Sequence, residues 1–219
     1  MRITPLFRDR SEAGRVLAAR VIGSISDQDP LVLALPRGGV PVGFEVARVL
    51  RAEVDIFLVR KLGAPGHEEL AIGAVASGGI RILNTALIKD LHLSQEIIEQ
   101  ITTREHRELK RREVLYRAGS AAIPIRGRTI ILTDDGLATG ASMKAASKAV
   151  RAEGPHRLIV AVPVASRQTC DELRGDVDEV ICAETPEPFM SVGSWYDDFR
   201  QTTDEDVKML LEKAAREVP

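Results

Sequence analysis

Thr129-Ile130-Ile131-Leu132-Thr133-Asp134-Asp135-Gly136-Leu137-Ala138-Thr139-Gly140-Ala141-Ser142 is the stretch on which the fold turns. A β-branched apolar run ends in two adjacent carboxylates, Asp134 and Asp135. The small residues Thr139, Gly140, Ala141 and Ser142 follow, and a helical pattern sets in at Met143. Asp135-Gly136 is also a common hairpin-turn pair. A hairpin needs a second strand, however, and Met143-Lys144-Ala145-Ala146-Ser147-Lys148-Ala149-Val150 has helical spacing and composition. The order is therefore strand, acidic pair, loop, helix. A helix N-terminus presents unpaired N–H groups and the positive end of its dipole, which suits a phosphate. The carboxylates beside it repel phosphate but can hold sugar hydroxyls or a hydrated Mg²⁺. A phosphorylated sugar with hydroxyls near its phosphate satisfies both halves.

Working outward, apolar runs alternate with helical ones. Residues 31–35 contain no polar side chain, as expected of a strand buried on both faces. Residues 40–50 read as a helix, 54–59 as the next strand, and 129–133, 158–164 and 177–183 as three more. Helices are expected at 141–153 and 166–174. The alternation predicts an α/β fold: a mostly parallel, twisted sheet flanked by helices. Three regions break the rhythm. Residues 63–82 are glycine-rich and end in two short strands around Ser77-Gly78-Gly79. Residues 94–117 form a long charged helix with Ser94 as N-cap. Residues 186–203 hold Phe189, Trp195, Tyr196 and Phe199, half of the eight aromatic side chains, so this segment is a small structure of its own near the C-terminus.

The 219 residues suffice for one sizeable core, so 1–219 is read as a single domain. With 44% hydrophobic and 28% charged residues the chain has an ordinary globular composition. A net charge of −2 offers no global field for nucleic acid or an anionic membrane. Arginines and lysines of 94–117 interleave with glutamates, which favours a solvated or subunit-contacting helix over a nucleic-acid surface. No apolar run is long enough to span a membrane. Residues 1–11 are broken by Arg2, Pro5, Arg8, Asp9 and Arg10 and do not read as a secretory leader. Cys170 and Cys182 match no zinc spacing and are expected to be thiols in a reducing cytoplasm.

Asp134, Asp135, three residues, Thr139-Gly140, one residue, then Ser142 after an apolar run resembles the 5-phosphoribosyl pyrophosphate (PRPP) signature of type I phosphoribosyltransferases. Members of that family often carry a bulkier apolar residue where this chain has Gly136. The resemblance implies a phosphoribosyltransferase-like domain with a C-terminal hood at 186–203 and an inserted helix at 94–117. It implies transfer of a ribosyl 5-phosphate group from PRPP to a nitrogenous base, with pyrophosphate released and Mg²⁺ as cofactor. The 5′-phosphate would sit on Ala138, Thr139, Gly140, Ala141 and Ser142. Asp134 and Asp135 would hold the ribose hydroxyls, and Mg²⁺ indirectly.

The family's pyrophosphate loop, often of unusual peptide conformation, corresponds in position to Pro36-Arg37-Gly38-Gly39. Read alone, that stretch fits a strand-to-helix turn as well as an anion site. The resemblance gives Arg37, Gly38 and Gly39 the pyrophosphate. Arg60 and Lys61, read at the end of the second strand, are by themselves ordinary solvated charges. The resemblance gives Lys61, and with it Arg60, a reach to pyrophosphate, followed by a flexible loop over 64–70. His67 is read as a loop surface residue, and Glu68 and Glu69 as secondary Mg²⁺ candidates. Phe189, Trp195 and Tyr196 either pack a subsidiary core or stack the base. The hood does not resemble those of the hypoxanthine, orotate, adenine or uracil enzymes; it is similar to a less characterised stand-alone branch, so the acceptor stays open. A PRPP-sensing regulator without catalysis is the competing reading. His67, His92, His106 and His156 fall in no nucleophile–base motif, which disfavours a hydrolase. A homo-oligomer is compatible with all of this.

Overall fold

The computed structural model describes residues 4–25, 29–117 and 119–217, and the backbone alone of Glu68 and Glu69, so the reading of those two side chains as Mg²⁺ ligands lies outside the described residues. In chain order the elements are α1 (Arg10–Val21), β1 (Pro30–Ala34), α2 (Gly39–Leu50), β2 (Glu53–Ile56), β3 (Val59–Ala64), β4 (His67–Ala76) and β5 (Ile80–Leu83). Then follow α3 (Thr85–Asp90), α4 (Gln95–Arg117), β6 (Thr129–Thr133), α5 (Ala141–Ala152), β7 (Arg157–Val164), α6 (Arg167–Leu173), β8 (Glu179–Glu184) and α7 (Asp204–Glu217).

Five strands form one sheet in the order β2-β1-β6-β7-β8, with every pair parallel. The mostly parallel sheet read from the sequence is thus present. Successive residues of each strand feed opposite faces. Val32, Ile131 and Ala161 pack with Leu17 and Val21 of α1 and Val42 and Val46 of α2. Leu31, Leu33, Ile130, Leu132 and Val160 pack instead with Met143, Ala146 and Val150 of α5 and Leu173 of α6. Continuous apolar runs are what such double coverage demands. α1 and α2 approach closely at Gly14, where a Cβ would lie 2.8 Å from that of Glu45.

The second strand departs from its expected span. Backbone pairing of β2 stops at Ile56, and the Leu58 N–H donates to the Ser77 hydroxyl at 3.0 Å. β3 then begins a separate antiparallel sheet, β3-β4-β5. Phe57, Leu58 and Val59 are all apolar, so hydropathy carries no mark of the break. Arg60 and Lys61 accordingly lie in this second sheet and not at the end of a main-sheet strand. The segment expected as a flexible loop is the tip of the β3–β4 hairpin. Ala64 pairs with His67 around Pro65 and Gly66, with irregular register at Leu62–Ala64. Two strands flank the turn at Ser77–Gly79, as read. α1 and α3 have no counterpart in the sequence reading.

Cys170 of α6 and Cys182 of β8 are joined by a disulfide, which corrects the expectation of thiols. Their pairing depends on α6 lying against β8, and the spacing does not reveal that. Among the described residues no helix is long and apolar enough to cross a membrane.

A largely buried ion pair ties the end of the long helix to the main sheet. Arg117 Nε meets Asp55 Oδ1 at 3.0 Å, and Arg117 Nη2 donates to the Ile56 carbonyl at 2.9 Å. Asp55 Oδ2 also accepts from the Ile123 N–H at 3.2 Å. Asp55→Ala should lower stability by about 3 kcal/mol, because it leaves the desolvated Arg117 guanidinium with the longer Glu113 contact at 3.4 Å and the Ile123 N–H without this acceptor. Urea unfolding at pH 7 checks this; a loss below about 1 kcal/mol would mean that Arg117 finds other partners.

Candidate functional site

β1 and β6 are neighbours, and Ala34 pairs with Thr133, so the two strands end level. From this point the chain runs in opposite senses across the sheet: β1 leads through α2 to β2, and β6 leads through α5 to β7. Open parallel sheets bind ligands at such a switch point, beyond the carboxyl ends of the strands. The two loops that leave it are residues 35–38, which run into α2 at Gly39, and 134–140.

They touch. The Leu35 N–H donates to the Thr133 carbonyl at 2.9 Å. The Pro36–Arg37 peptide bond is cis. A Cβ on Gly38 would lie 2.1 Å from Asp135 Oδ2, and one on Gly39 would lie 2.8 Å from Asp134 Cα. Both glycines are therefore required by the contact between the loops, whatever ligand the loops take. That reason is not visible in the sequence, which marks Gly38 and Gly39 only as permissive.

The carboxylates lie between the loops, each half-buried. The Asp135 N–H donates to Asp134 Oδ1 at 2.8 Å. Burial, then the neighbouring Asp135 charge, holds the Asp134 carboxyl well above the usual carboxylate range. Burial also raises Asp135, against the opposing pull of Arg10. Arg10, the first residue of α1, places both Nε and Nη2 at 2.8 Å from Asp135 Oδ2. Its Nη1 donates to the Arg200 carbonyl at 2.8 Å, and its guanidinium lies 3.9 Å from the Phe199 ring centroid. The Tyr196 hydroxyl donates to the Asp135 carbonyl at 2.6 Å, and burial pushes that phenol up. Sequence reasoning missed Arg10 altogether.

Beyond the carboxylates the chain turns into α5. Gly140 takes a left-handed conformation, φ 67°, and no side chain caps the helix. Residues Ala138, Thr139, Ala141 and Ser142 are exposed and Gly140 is buried. The loop is braced from behind: Thr169 Oγ1 donates to the Ala138 carbonyl at 2.7 Å, and a Cβ on Gly140 would lie 2.7 Å from Thr169 Cγ2. A Cβ on Gly136 would lie 2.6 Å from Val192 Cγ1, so the hood fills the space that a bulkier residue would need. An uncapped, exposed helix N-terminus beside two carboxylates has the chemistry for a phosphate next to hydroxyls.

The other residues singled out divide. Arg37 is half-exposed in its loop, with Nη1 3.7 Å from Asp204 Oδ1 of α7. Asp204 also accepts from the Tyr116 hydroxyl at 2.6 Å, and burial with this contact raises that phenol to about 12. Arg60 Nε meets the buried Glu105 of α4 at 2.7 Å, so it serves the attachment of α4. Lys61 is exposed on β3. Trp195 and Tyr196 are buried, and Phe189 is half-buried. Their rings face one another and the N-terminal segment: Tyr196 lies 5.5 Å from Phe7 and 5.1 Å from Phe199, and Trp195 lies 6.5 Å from Phe189. The packed-core reading of the hood describes this arrangement, with Tyr196 reaching the acidic loop through its hydroxyl and not its face. Among the described residues no three His, Cys, Asp or Glu side chains group to hold a metal ion.

Residues 9–196 match the family described as phosphoribosyl transferase domain. A Mycobacterium tuberculosis protein, provisionally named a phosphoribosyl transferase, is 42% identical over 212 residues. The match covers 97% of this chain and 48% of that protein, so the chain spans about half the length of the curated relatives it matches. The crystal structure of TT1426 from Thermus thermophilus is 43% identical, with a TM-score of 0.85 over 94% of this chain and 98% of that one. At the level of fold alone, the AQ2163 protein from Aquifex aeolicus aligns with a TM-score of 0.50 at 10% identity, over 84% of this chain and 78% of that one.

Proposed function

The chain belongs to the phosphoribosyl transferase domain family, and on that premise we propose that it binds PRPP and transfers its ribosyl 5-phosphate group to a nitrogenous base, releasing pyrophosphate. The observation that best supports this reading is the meeting of two loops at the sheet's switch point, with the Asp134–Asp135 pair between an uncapped helix N-terminus and the Arg37 loop.

In this reading the N-terminus of α5 and Ala138–Ser142 hold the 5′-phosphate, remote from the bond that breaks. Binding energy spent there orients the reacting carbon. Asp134 and Asp135 accept from the ribose hydroxyls and face the positive charge that develops on the sugar. Arg37, with Gly38 and Gly39, receives the departing pyrophosphate, and Lys61 adds charge from β3. Such electrostatic work is the main task in a displacement of this kind.

Two carboxylates are hard oxygen donors and fit Mg²⁺; with no third such ligand beside them among the described residues, they would hold it through water or through PRPP. When bound, Mg²⁺ supplies positive charge to the pyrophosphate. The hood's aromatic faces are occupied by one another, so a base would have to enter beside them or displace them.

The test is a screen for PRPP-dependent pyrophosphate release against a panel of free bases. Release with at least one base is the expected result. PRPP binding with no release for any acceptor would overturn the transferase and favour a PRPP sensor on the same scaffold.

A further inference from the structure

We infer that Arg10 is a positioning residue that aims the Asp135 carboxylate at the ribose hydroxyls, and that the N-terminal segment and the hood together form the bracket that holds Arg10. The inference rests on the ribose-phosphate reading above.

Asp135 is gripped at two points. Arg10 takes Oδ2 of its side chain with two N–H groups, and Tyr196 takes its backbone carbonyl. Both contacts from Arg10 end on the same oxygen, which leaves Oδ1 for a hydroxyl. A two-donor grip on one oxygen fixes the rotation of the carboxylate as well as its place. Without it, the carboxylate would be held by its packing against Gly38 but by no donor, and a hydrogen bond to a sugar would cost the rotational freedom that remains.

Arg10 is in turn over-determined. Its third donor is taken by the Arg200 carbonyl, and its flat face lies on Phe199. The segments that carry these partners are stitched together. The Leu6 and Phe7 N–H groups donate to the Trp195 carbonyl, the Asp197 N–H to the Phe7 carbonyl, and the Asp198 N–H to the Arg8 carbonyl. Asp9 caps α1 by accepting from the Glu12 N–H at 2.8 Å, so the helix begins at the residue that must reach Asp135. The hood thus serves the acidic loop from behind, through Tyr196, Phe199 and Arg200.

A lysine at position 10 can keep the charge but offers no planar two-donor fork. A glutamine keeps neither. The test is calorimetric and needs no acceptor: full-length wild type, Arg10→Lys and Arg10→Gln are titrated with ribose 5-phosphate and with 2-deoxyribose 5-phosphate. The two ligands share the phosphate and differ in one hydroxyl.

Wild type should prefer the ribose form by about tenfold, the scale of one charge-assisted hydrogen bond. In Arg10→Gln the preference should fall to within about twofold while affinity for the deoxy form is unchanged. Arg10→Lys should keep part of the preference. A merely structural arginine would weaken both ligands together or neither.

A full tenfold preference retained in Arg10→Gln overturns the inference alone. So does tighter binding of ribose 5-phosphate by that variant, since Arg10 would then be blocking the carboxylate. Failure of wild type to bind either sugar phosphate, or equal affinity for the two, overturns the ribose reading of the acidic pair and the inference with it.

Discussion

Asp135→Asn should lower turnover by roughly 10²- to 10³-fold while the protein stays folded, once an accepted base is known. That is the scale of losing one preorganised group facing developing charge. The amide is isosteric, so the loop contact with Gly38 is kept and the Tyr196 bond to the backbone is untouched. What goes is the negative charge facing the sugar and the ionic partner of Arg10. Leaving Arg10 without its ionic partner costs stability, while removing a carboxyl that burial has raised returns some of it, and a thermal melt reads the net effect separately from the rate. Wild-type turnover in a folded variant would remove Asp135 from the chemistry.

Asp134→Asn is expected to do two opposite things: lower turnover by about 10²-fold and raise the stability of the ligand-free protein at neutral pH. Burial and the adjacent Asp135 raise the Asp134 carboxyl well above its ordinary range. A raised folded value means that ionisation opposes folding. The contribution of the protonated group is fully present below the unfolded value, about 3.9, and is lost as pH rises through the folded one. Asparagine does not ionise. The variant's excess stability should therefore be absent near pH 3.5, grow above about pH 4, and level off past the raised folded value. Each kcal/mol of relief is worth roughly 2–4 °C in Tm for a chain of this size. Equal melting temperatures for variant and wild type at pH 8 would mean that the carboxylate is held as comfortably charged as neutral. A gain in stability paired with a loss of rate is the mark of a group kept for function and not for the fold.

What the sequence made legible was what local chemistry determines. β6 was read to the residue, because Ile130, Ile131 and Leu132 stop at two carboxylates. β1 and α5 came within a residue, since buried strands and small-residue helix starts leave marks in their own composition. The turn into α5 at Thr139-Gly140 was likewise read from residue type and spacing; the pyrophosphate role of Gly38-Gly39 came from the family resemblance and stays part of the proposal.

What was lost depended on distant parts of the chain. Arg10 and Asp135 are 125 residues apart, and nothing around Arg10 distinguishes it from its neighbours Arg8 and Arg15. The break between β2 and β3 falls inside one apolar run, where Leu58 turns to Ser77, its N–H donating to the Ser77 hydroxyl and its carbonyl accepting from the Ser77 N–H. The hood illustrates a different limit. Aromatic clustering announced that residues 186–203 pack together, but which side of the rings was covered depended on Phe7. The disulfide between Cys170 and Cys182 likewise follows from where α6 comes to rest.

The measurement that tests the account most directly is an isothermal titration of the full chain, with Mg²⁺ present, by PRPP and by ribose 5-phosphate. The two ligands share the 5′-phosphate and the hydroxyls, and only PRPP carries the pyrophosphate that the Arg37 loop is proposed to receive. PRPP should bind at least about tenfold more tightly, the scale of one added charge-assisted contact. Equal affinities would strip the pyrophosphate role from Arg37, Gly38 and Gly39, and no binding of either ligand would contradict the account as a whole.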